Sequence, residues 1–325
     1  MWLTMPPLLS ICIPTYNRAL TLRAALDSIL SQVGAEPRIE VVVSDNASTD
    51  DTPTVSQEFG ERYANLRYHR NIQNVGFDGN VIACLEQACG EYVAFFSDDD
   101  IALPNTFQRV VSELESRVPA ILYLNHYPFW GEKYAENTGA KHPEQDRVFQ
   151  DGKAFLLFAG LGFISALTIN TAYAREFIAD VRLGRGQAHL DIAARIALLK
   201  SGPFVFLGTQ SVAARAAPPA YDSVTYAALG EAIFYHELGE AGLLDADSVK
   251  RRVGGSIRHN LFRAVLVKKC VGDAHSLTTQ KKTLCATYRR YPQFYLYVYP
   301  VLVLPRALLK PLYVLGRALM RRSGR

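Results

Sequence analysis

From residue 8 to residue 96 the chain alternates short apolar runs with longer stretches in which apolar residues recur every three or four positions. "LLSICI" (8–13) predicts a buried strand that stops at Pro14. "TLRAALDSILSQ" sets Leu22, Leu26, Ile29 and Leu30 on one helical face, with Thr21 as the expected N-cap. Ile39–Val43 is the second strand and "TPTVSQEFGERY" the next helix, with Pro53 tolerated in its first turn. "NLRYHRN" is a third, short strand. "NVGFDGNVIACLEQACG" is a glycine-marked turn and a helix ending near Gly90, and "YVAFF" is a fourth strand.

Strands alternating with helices of this length predict βαβ units and a mostly parallel sheet flanked by helices, an α/β fold. Such sheets bind ligands beyond the carboxyl ends of their strands. Three polar stretches fall there: "PTYNR", "SDNASTD" and "SDDD". Further along, "NTFQRVVSELES" predicts a helix and "AILYLN" a strand, and residues 128–150 read as a polar insertion. "AFLLFAGLGFISALTI" is a buried helix then a strand, "AHLDIAARIALLKSG" an amphipathic helix, "PFVFLG" a strand, and residues 226–270 are helical. The expected division is residues 1–225, in two halves (9–104 and 105–225), followed by a helical region, 226–325.

Composition supports a folded chain, with 49% hydrophobic and 20% charged residues. Five cysteines without a CxxC pair point to a reducing compartment, and the first residues lack the basic start of a signal peptide. A cytoplasmic location follows as an expectation. The net charge of +4 conceals a strong asymmetry: residues 251–325 hold 16 Lys and Arg against the single acid Asp273, while the rest is acidic. A basic tail selects an anionic partner, a membrane or a nucleic acid. The Leu, Val and Tyr content of the tail favours a membrane surface and disfavours nucleic acid. The apolar run Phe294–Pro305 covers twelve residues, short of the roughly 20 that cross a bilayer as a helix. An interface-lying segment, peripheral on the inner face of the cell membrane, is the expectation.

"AFFSDDDIALP" (94–104) joins an apolar strand to Asp98, Asp99 and Asp100. Like charges so placed call for protonation or a cation, and Mg2+ or Mn2+ suits adjacent carboxylates that also meet substrate phosphates. A solvated turn that caps the following helix is the structural alternative. Asp45 either forms an Asx-turn with Asn46 or accepts an N–H from a ligand such as a pyrimidine imide. No dinucleotide glycine fingerprint follows the first strand, and no phosphate-binding P-loop sequence occurs, so a metal is the expected phosphate clamp.

Together, "SICIPTYNR", "VVVSDNASTDDT", "RNIQNVGFDGN" and "AFFSDDDIALP" resemble family 2 glycosyltransferases of the GT-A fold, over roughly residues 9–215. The resemblance implies an inverting enzyme that uses a nucleotide-sugar donor. It assigns Pro14, Thr15, Tyr16, Asn17, Asp45 and Arg70 to the nucleotide, and Asp98 to Asp100 to ribose-phosphate and metal. Ser97 stands where the family often has its first acid, which ranks Asp99 and Asp100 above Asp98. Asp191, in "QAHLD", matches the family's general base, although Leu190 replaces the usual preceding acid. A plain helix cap at Asp191, a base role for His189, and the isolated Asp151, Asp180 and Asp222 remain alternatives. UDP- or dTDP-sugar is the preferred donor and a lipid-linked saccharide the preferred acceptor. A nucleotidyltransferase acting on sugar phosphates, or an inactive glycosyltransferase-like binding protein, are the competing classes.

Overall fold

The computed structural model describes residues 6–34, 36–129, 142–216, 230–272 and 274–322, with positions 131, 134 and 224 between them. The chain divides into two units, Met1–Ala217 and Pro218–Arg325.

The first unit is built on one sheet of nine strands, ordered β3-β2-β1-β4-β8-β6-β9-β5, with β7 paired to β9. The strands β1 (Leu9–Thr15) and β2 (Ile39–Asp45) are buried along their whole length, as continuous apolar runs in the middle of a parallel sheet should be. β1 lies parallel to both β2 and β4 (Tyr92–Phe95), and β2 lies parallel to β3 (Leu66–Arg70). In this register Thr15 faces Asp45 and Cys12 faces Phe95, so the three polar loops leave the sheet side by side.

The helices between these strands are α1 (Ala19–Val33), α2 (Thr52–Arg62) and α3 (Gly76–Gln87). Leu22, Leu26, Ile29 and Leu30 of α1 are buried, as the spacing predicts. Its N-cap is Arg18, not Thr21: the Thr21 hydroxyl instead donates back to the Arg18 carbonyl at 3.3 Å. The helix therefore starts immediately after the "PTYNR" loop.

The parallel expectation holds for β3-β2-β1-β4 and gives way beyond it. β8 (Leu167–Asn170) runs antiparallel between β4 and β6 (Ile121–Phe129). β9 (Phe204–Arg215) runs parallel to β6 but antiparallel to β5 (Ile101–Ala102) and β7 (Arg147–Phe149). Strands β6 and β9 extend well past "AILYLN" and "PFVFLG". Both ends were hidden by polar positions, Asn125 and His126 in one and Gly208 to Gln210 in the other, where the pairing shifts register. The remaining helices are α4 (Thr106–Arg117), α5 (Gly152–Ala159), α6 (Thr171–Glu176) and α7 (Ala188–Leu199).

The second unit is helical: α8 (Glu231–Glu240), α9 (Ala246–Ser256), α10 (Phe262–Cys270), α11 (Ala274–Tyr288), α12 (Tyr299–Val303) and α13 (Arg306–Arg322). Two π-helical turns, Ile257–Leu261 and Phe294–Val298, interrupt it. Among the described residues no single helix is long and apolar enough to cross a membrane. The pair Phe294–Val303 and Arg306–Leu315 has the length and composition together, but is bent by 115°. Pro305 sits at the bend. Tyr295, Leu296, Leu308, Leu312 and Leu315 on this pair are exposed.

Close backbone approach makes Gly152 structurally required. A Cβ on Gly152, at the start of α5, would lie 1.7 Å from the Ala197 carbonyl oxygen of α7. Backbone, unlike a flexible side chain, cannot give way cheaply. Gly152→Ala is expected to lower Tm by roughly 5 °C or more, corresponding to overpacking of about 2 kcal/mol. Gly255→Ala, where a Cβ meets nothing within 4 Å, is the neutral reference; thermal melts of the two variants check this.

Candidate active site

The loops at the ends of β1 and β2 are fastened to each other by polar side chains. Asn17, in the left-handed region at φ 52°, donates its backbone N–H to Ser48 Oγ at 2.9 Å and accepts the Thr49 N–H on Oδ1 at 2.7 Å. Asn80, buried on α3, donates to the Ser44 carbonyl at 2.9 Å and accepts from the Ser44 hydroxyl at 2.7 Å. Asn46 donates to Asn74 Oδ1 at 2.9 Å and to the Gly76 carbonyl at 3.1 Å, and accepts the Val75 N–H. The start of α3 is thereby tied to the end of β2.

Asp45 is wholly buried at the end of β2. Its Oδ1 accepts the Ser48 N–H at 2.9 Å, three residues on rather than in the Asx-turn expected with Asn46, and its Oδ2 accepts the Tyr68 hydroxyl at 2.7 Å. Burial, then the neighbouring Asp45, raise the Tyr68 phenol well above its ordinary value, so it stays a donor. Arg70 places its Nε 3.8 Å from Asp45 Oδ2 and donates to the Ser48 carbonyl at 2.8 Å. Pro14 and Thr15 lie within β1 opposite Ser44 and Asp45, whereas Tyr16 stands half-exposed just beyond.

The acidic triplet follows β4, across β1 from Asp45. The order of strand addition reverses at β1: β1 to β3 progress one way along the sheet, and the parallel β4 lies on β1's other side. That is the switch point at which open α/β sheets leave a crevice. The three carboxylates have different partners. Asp99 pairs with Arg18 and accepts the Ser97 hydroxyl at 2.6 Å. Asp98 lies 3.7 Å from the same Arg18 guanidinium. Asp100 accepts the Ser165 hydroxyl at 2.5 Å and the Arg215 N–H at 2.8 Å. Desolvation, augmented by the charge of Asp99, pushes both Asp98 and Asp100 up to about 7, although Arg18 acts against it at Asp98.

These residues bear on the expected cation. Among the described residues no three acidic, His or Cys side chains converge as a ready-made ligand set. Asp98 and Asp99, sharing one guanidinium, remain a pair of hard oxygen donors with excess negative charge. A pair fits an ion that takes one or two protein carboxylates and completes its shell from substrate phosphate and water. Asp100, ranked high from the sequence, is also engaged by the 3₁₀ turn Ile164–Ala166 and the end of β9.

Asp191 lies in the first turn of α7, three-quarters of a turn past the start, and the N-cap is Gln187; the plain capping alternative is thus set aside. His189, also buried, meets the Gly162 carbonyl through Nε2 at 3.2 Å, and the ring of Phe77 packs edge-on against it. Burial lowers its pKa, against the pull of Gly162 and Asp78, which keeps the imidazole neutral near pH 7. A neutral ring that donates from Nε2 carries its lone pair on Nδ1, which is buried without a partner. Asp151 caps α5 through the Lys153 N–H, and Asp180 faces Arg195 at 3.6 Å, so both have structural duties. Asp222 lies outside the described residues.

Four functional positions were missed from sequence. Tyr68, Ser165 and Arg215 hold the acidic residues, and they belong to elements far apart in the chain. The fourth is Asp78, in the first turn of α3 and buried. Its Oδ2 accepts the Arg185 and Gly186 N–H groups, each at 2.8 Å, and its Oδ1 accepts the Ala188 N–H at 2.8 Å. One carboxylate thus sets the lead-in to α7, and hence Asp191. The signal was present in "NVGFDGN", where an acid in an otherwise apolar first turn has no local reason to be buried.

With this geometry in view, residues 10–167 match the sequence profile described as glycosyl transferase family 2. That segment is just under half of the chain and lies within the first unit, which resembles that family and has the GT-A fold. Over 118 residues the chain is 37% identical to the abequosyltransferase RfbV of Salmonella typhimurium, covering 36% of this chain and 35% of that protein. Over 109 residues it is 37% identical to the GalNAc(5)-diNAcBac-PP-undecaprenol beta-1,3-glucosyltransferase of Campylobacter jejuni, covering 33% and 34%. The match thus spans about a third of the length of each of these relatives. Among solved structures, S. aureus TarS 1-349 in complex with UDP-GlcNAc aligns with a TM-score of 0.60 at 16% identity, over 95% of this chain and 92% of that one. Mannosyltransferase PcManGT from Pyrobaculum calidifontis, in complex with GDP-Man and Mn2+, aligns at 0.53 and 17%, over 92% and 87%. At these identities the structural likeness carries the fold.

Replacing Asp78 tests the clasp. In Asp78→Asn one carboxylate oxygen becomes an NH2 facing a backbone N–H, so at least one buried donor loses its acceptor. A loss of roughly 2 kcal/mol is expected, read as a fall in denaturation midpoint. Amide exchange should accelerate at Arg185 to Ala188 more than in the β1 and β2 strands.

Proposed function

We propose that this chain transfers a sugar from a nucleotide diphosphate-sugar to a hydroxyl of a saccharide acceptor, with inversion at the anomeric carbon. The observation that carries the reading is the placement of Asp45 and of Asp98 and Asp99 at the ends of strands flanking β1, at the switch point of the sheet. The family match supports the same class of reaction.

In this reading the half-exposed Tyr16 stacks on the base, while Asp45 accepts the N–H of a pyrimidine imide on an oxygen it shares with Tyr68. A carboxylate oxygen has lone pairs for both donors. UDP- or dTDP-sugar is therefore the preferred donor. Arg70 lies beside Asp45, its Nε 3.8 Å from Oδ2, and places a positive charge next to the base site. Asp98 and Asp99 hold a divalent cation, Mg2+ or Mn2+, which when bound offsets the charge that develops on the departing diphosphate. Asp191 takes the proton of the attacking hydroxyl, from a helix start held in place by Asp78. A base so placed contributes roughly 10²–10⁴-fold to the rate. The unpartnered Nδ1 of His189 provides a second reading for the base.

The acceptor is a lipid-linked saccharide, and the chain works peripherally at the inner, cytoplasmic face of a membrane. The support is the basic excess of residues 251–325 and the exposed apolar side chains on the bent pair Phe294–Val303 and Arg306–Leu315. The Campylobacter relative's name refers to an undecaprenol-linked substrate, consistent with this choice. A nucleotidyltransferase is disfavoured because "PTYNR" lacks the glycine-rich, basic loop that grips a triphosphate.

Nucleotide release from a panel of nucleotide-sugars, with Mn2+ and with chelator, checks the donor half. Wild type should release UDP, dTDP or another diphosphate only with metal, and Asp99→Asn should abolish this dependence. Equal release by wild type and variant would remove the reading.

Asp191→Asn should keep nucleotide affinity within about twofold while transfer falls at least 10²-fold. His189→Gln should keep most activity. The reverse pattern would move the base to His189.

A further inference from the structure

The helical second unit contains a basic cleft that none of the roles above uses. It has a volume of about 530 Å³, and Lys250, Arg251, Arg258 and His259 line it, against one carboxylate, Asp247. Lys250, Gly254 and Arg258 recur every four residues, which stacks them on one face of the continuous helical rod formed by α9 and the π-helical turn after it. The extra residue in such a turn commonly marks a functional site.

The cations of the cleft are available. Arg251 donates a long hydrogen bond to Ser248 Oγ at 3.4 Å, and Arg258 lies 5.6 Å from the centre of the Tyr297 ring. Among the described residues neither they nor Lys250 pairs with a carboxylate. The wall is kept low by two glycines. A Cβ at Gly254 would press to 3.2 Å on Gln293 Nε2, and at Gly255 it would project into open space. Gln293 itself lines the cleft, and its Oε1 is buried without a hydrogen-bond partner.

We propose that this cleft binds the phosphate or diphosphate headgroup of an amphiphilic lipid. Three permanent cations in a concave site favour a compact, multiply charged anion over a single carboxylate. The unpartnered Gln293 oxygen suits a hydroxyl next to that phosphate. What selects a lipid is the next residue: Phe294 begins the bent apolar pair, on which Tyr295 and Leu296 stand exposed. A headgroup in the cleft leaves its chain beside that apolar surface. The inference extends the membrane-facing part of the proposed function and does not depend on the transfer reaction.

The test uses the full chain and three vesicle types: phosphatidylcholine alone, the same doped with phosphatidylglycerol, and the same doped with a polyprenyl diphosphate. Lys250→Gln/Arg251→Gln/Arg258→Gln removes the cleft charges, all on exposed side chains. Arg289→Gln/Arg290→Gln removes exposed charges elsewhere in the same unit. The triple variant should bind phosphate-bearing vesicles roughly tenfold to a hundredfold more weakly than wild type, a larger loss than in the double variant. Inorganic pyrophosphate should compete with vesicles for wild type and not for the triple variant. A loss with phosphatidylglycerol assigns the cleft to bilayer headgroups, and a loss confined to the polyprenyl diphosphate assigns it to an acceptor-type lipid. Triple and double variants that lose affinity equally, with no competition by pyrophosphate, would overturn the proposal. Metal-dependent nucleotide release without vesicles, measured on the same proteins, reports separately on the transferase reading.

Discussion

Three consecutive carboxylates at a buried strand end can be kept only if other parts of the chain meet their charge, and much of the first unit is organised around that requirement. Arg18 comes from the loop after β1, Ser165 from the turn before β8, and Arg215 from the end of β9. Arg215 also donates through Nε to the Asp99 carbonyl at 2.9 Å and lies over the Phe129 ring at 4.7 Å. The acidic segment therefore fastens the parallel half of the sheet to the mixed half. Leaving any of these carboxylates buried and unmet would cost several kcal/mol. The same segment is both the main electrostatic liability of the fold and its junction.

Around that junction the loops are ordered by neutral polar groups. Asn17, Asn46 and Asn80 each use donor and acceptor ends together, so the crevice floor is set by hydrogen bonds that carry no net charge. This division matters for chemistry. Fixed neutral contacts hold the position of the crevice, while the charged groups Asp45, Asp98, Asp99, Arg18 and Arg70 stand around it.

The first half of the fold was legible because its strands are continuous apolar runs and its helices keep their spacing: β1, β2, β4 and α1 to α3 need no distant partner to be recognised. The ends of β6 and β9 were not, because a register shift places polar residues inside paired strands. The short β5 is fixed only by its pairing to β9, thus by tertiary contact rather than local pattern. At the site, sequence found the groups that carry charge but not those that hold them. Asp45 and the triplet sit at obvious strand ends. Tyr68, Asp78, Ser165 and Arg215 become intelligible only once chain segments as much as 116 residues apart meet, as Arg215 and Asp99 do. Asp100 illustrates the gap: its motif position suggested an ion, and its position in the chain gave no sign of the Ser165 and Arg215 contacts that also hold it.

The clasp at Asp78 also has a consequence for how such chains can diverge. Asp191 takes its position from α3 through the Arg185–Ala188 lead-in, not by counting along the chain from the acidic triplet. The stretch between α6 and Arg185 can therefore lengthen, shorten or change its composition without moving Asp191, provided the three N–H groups still find their carboxylate. A single buried acid thus separates what evolution is free to alter from what it must keep.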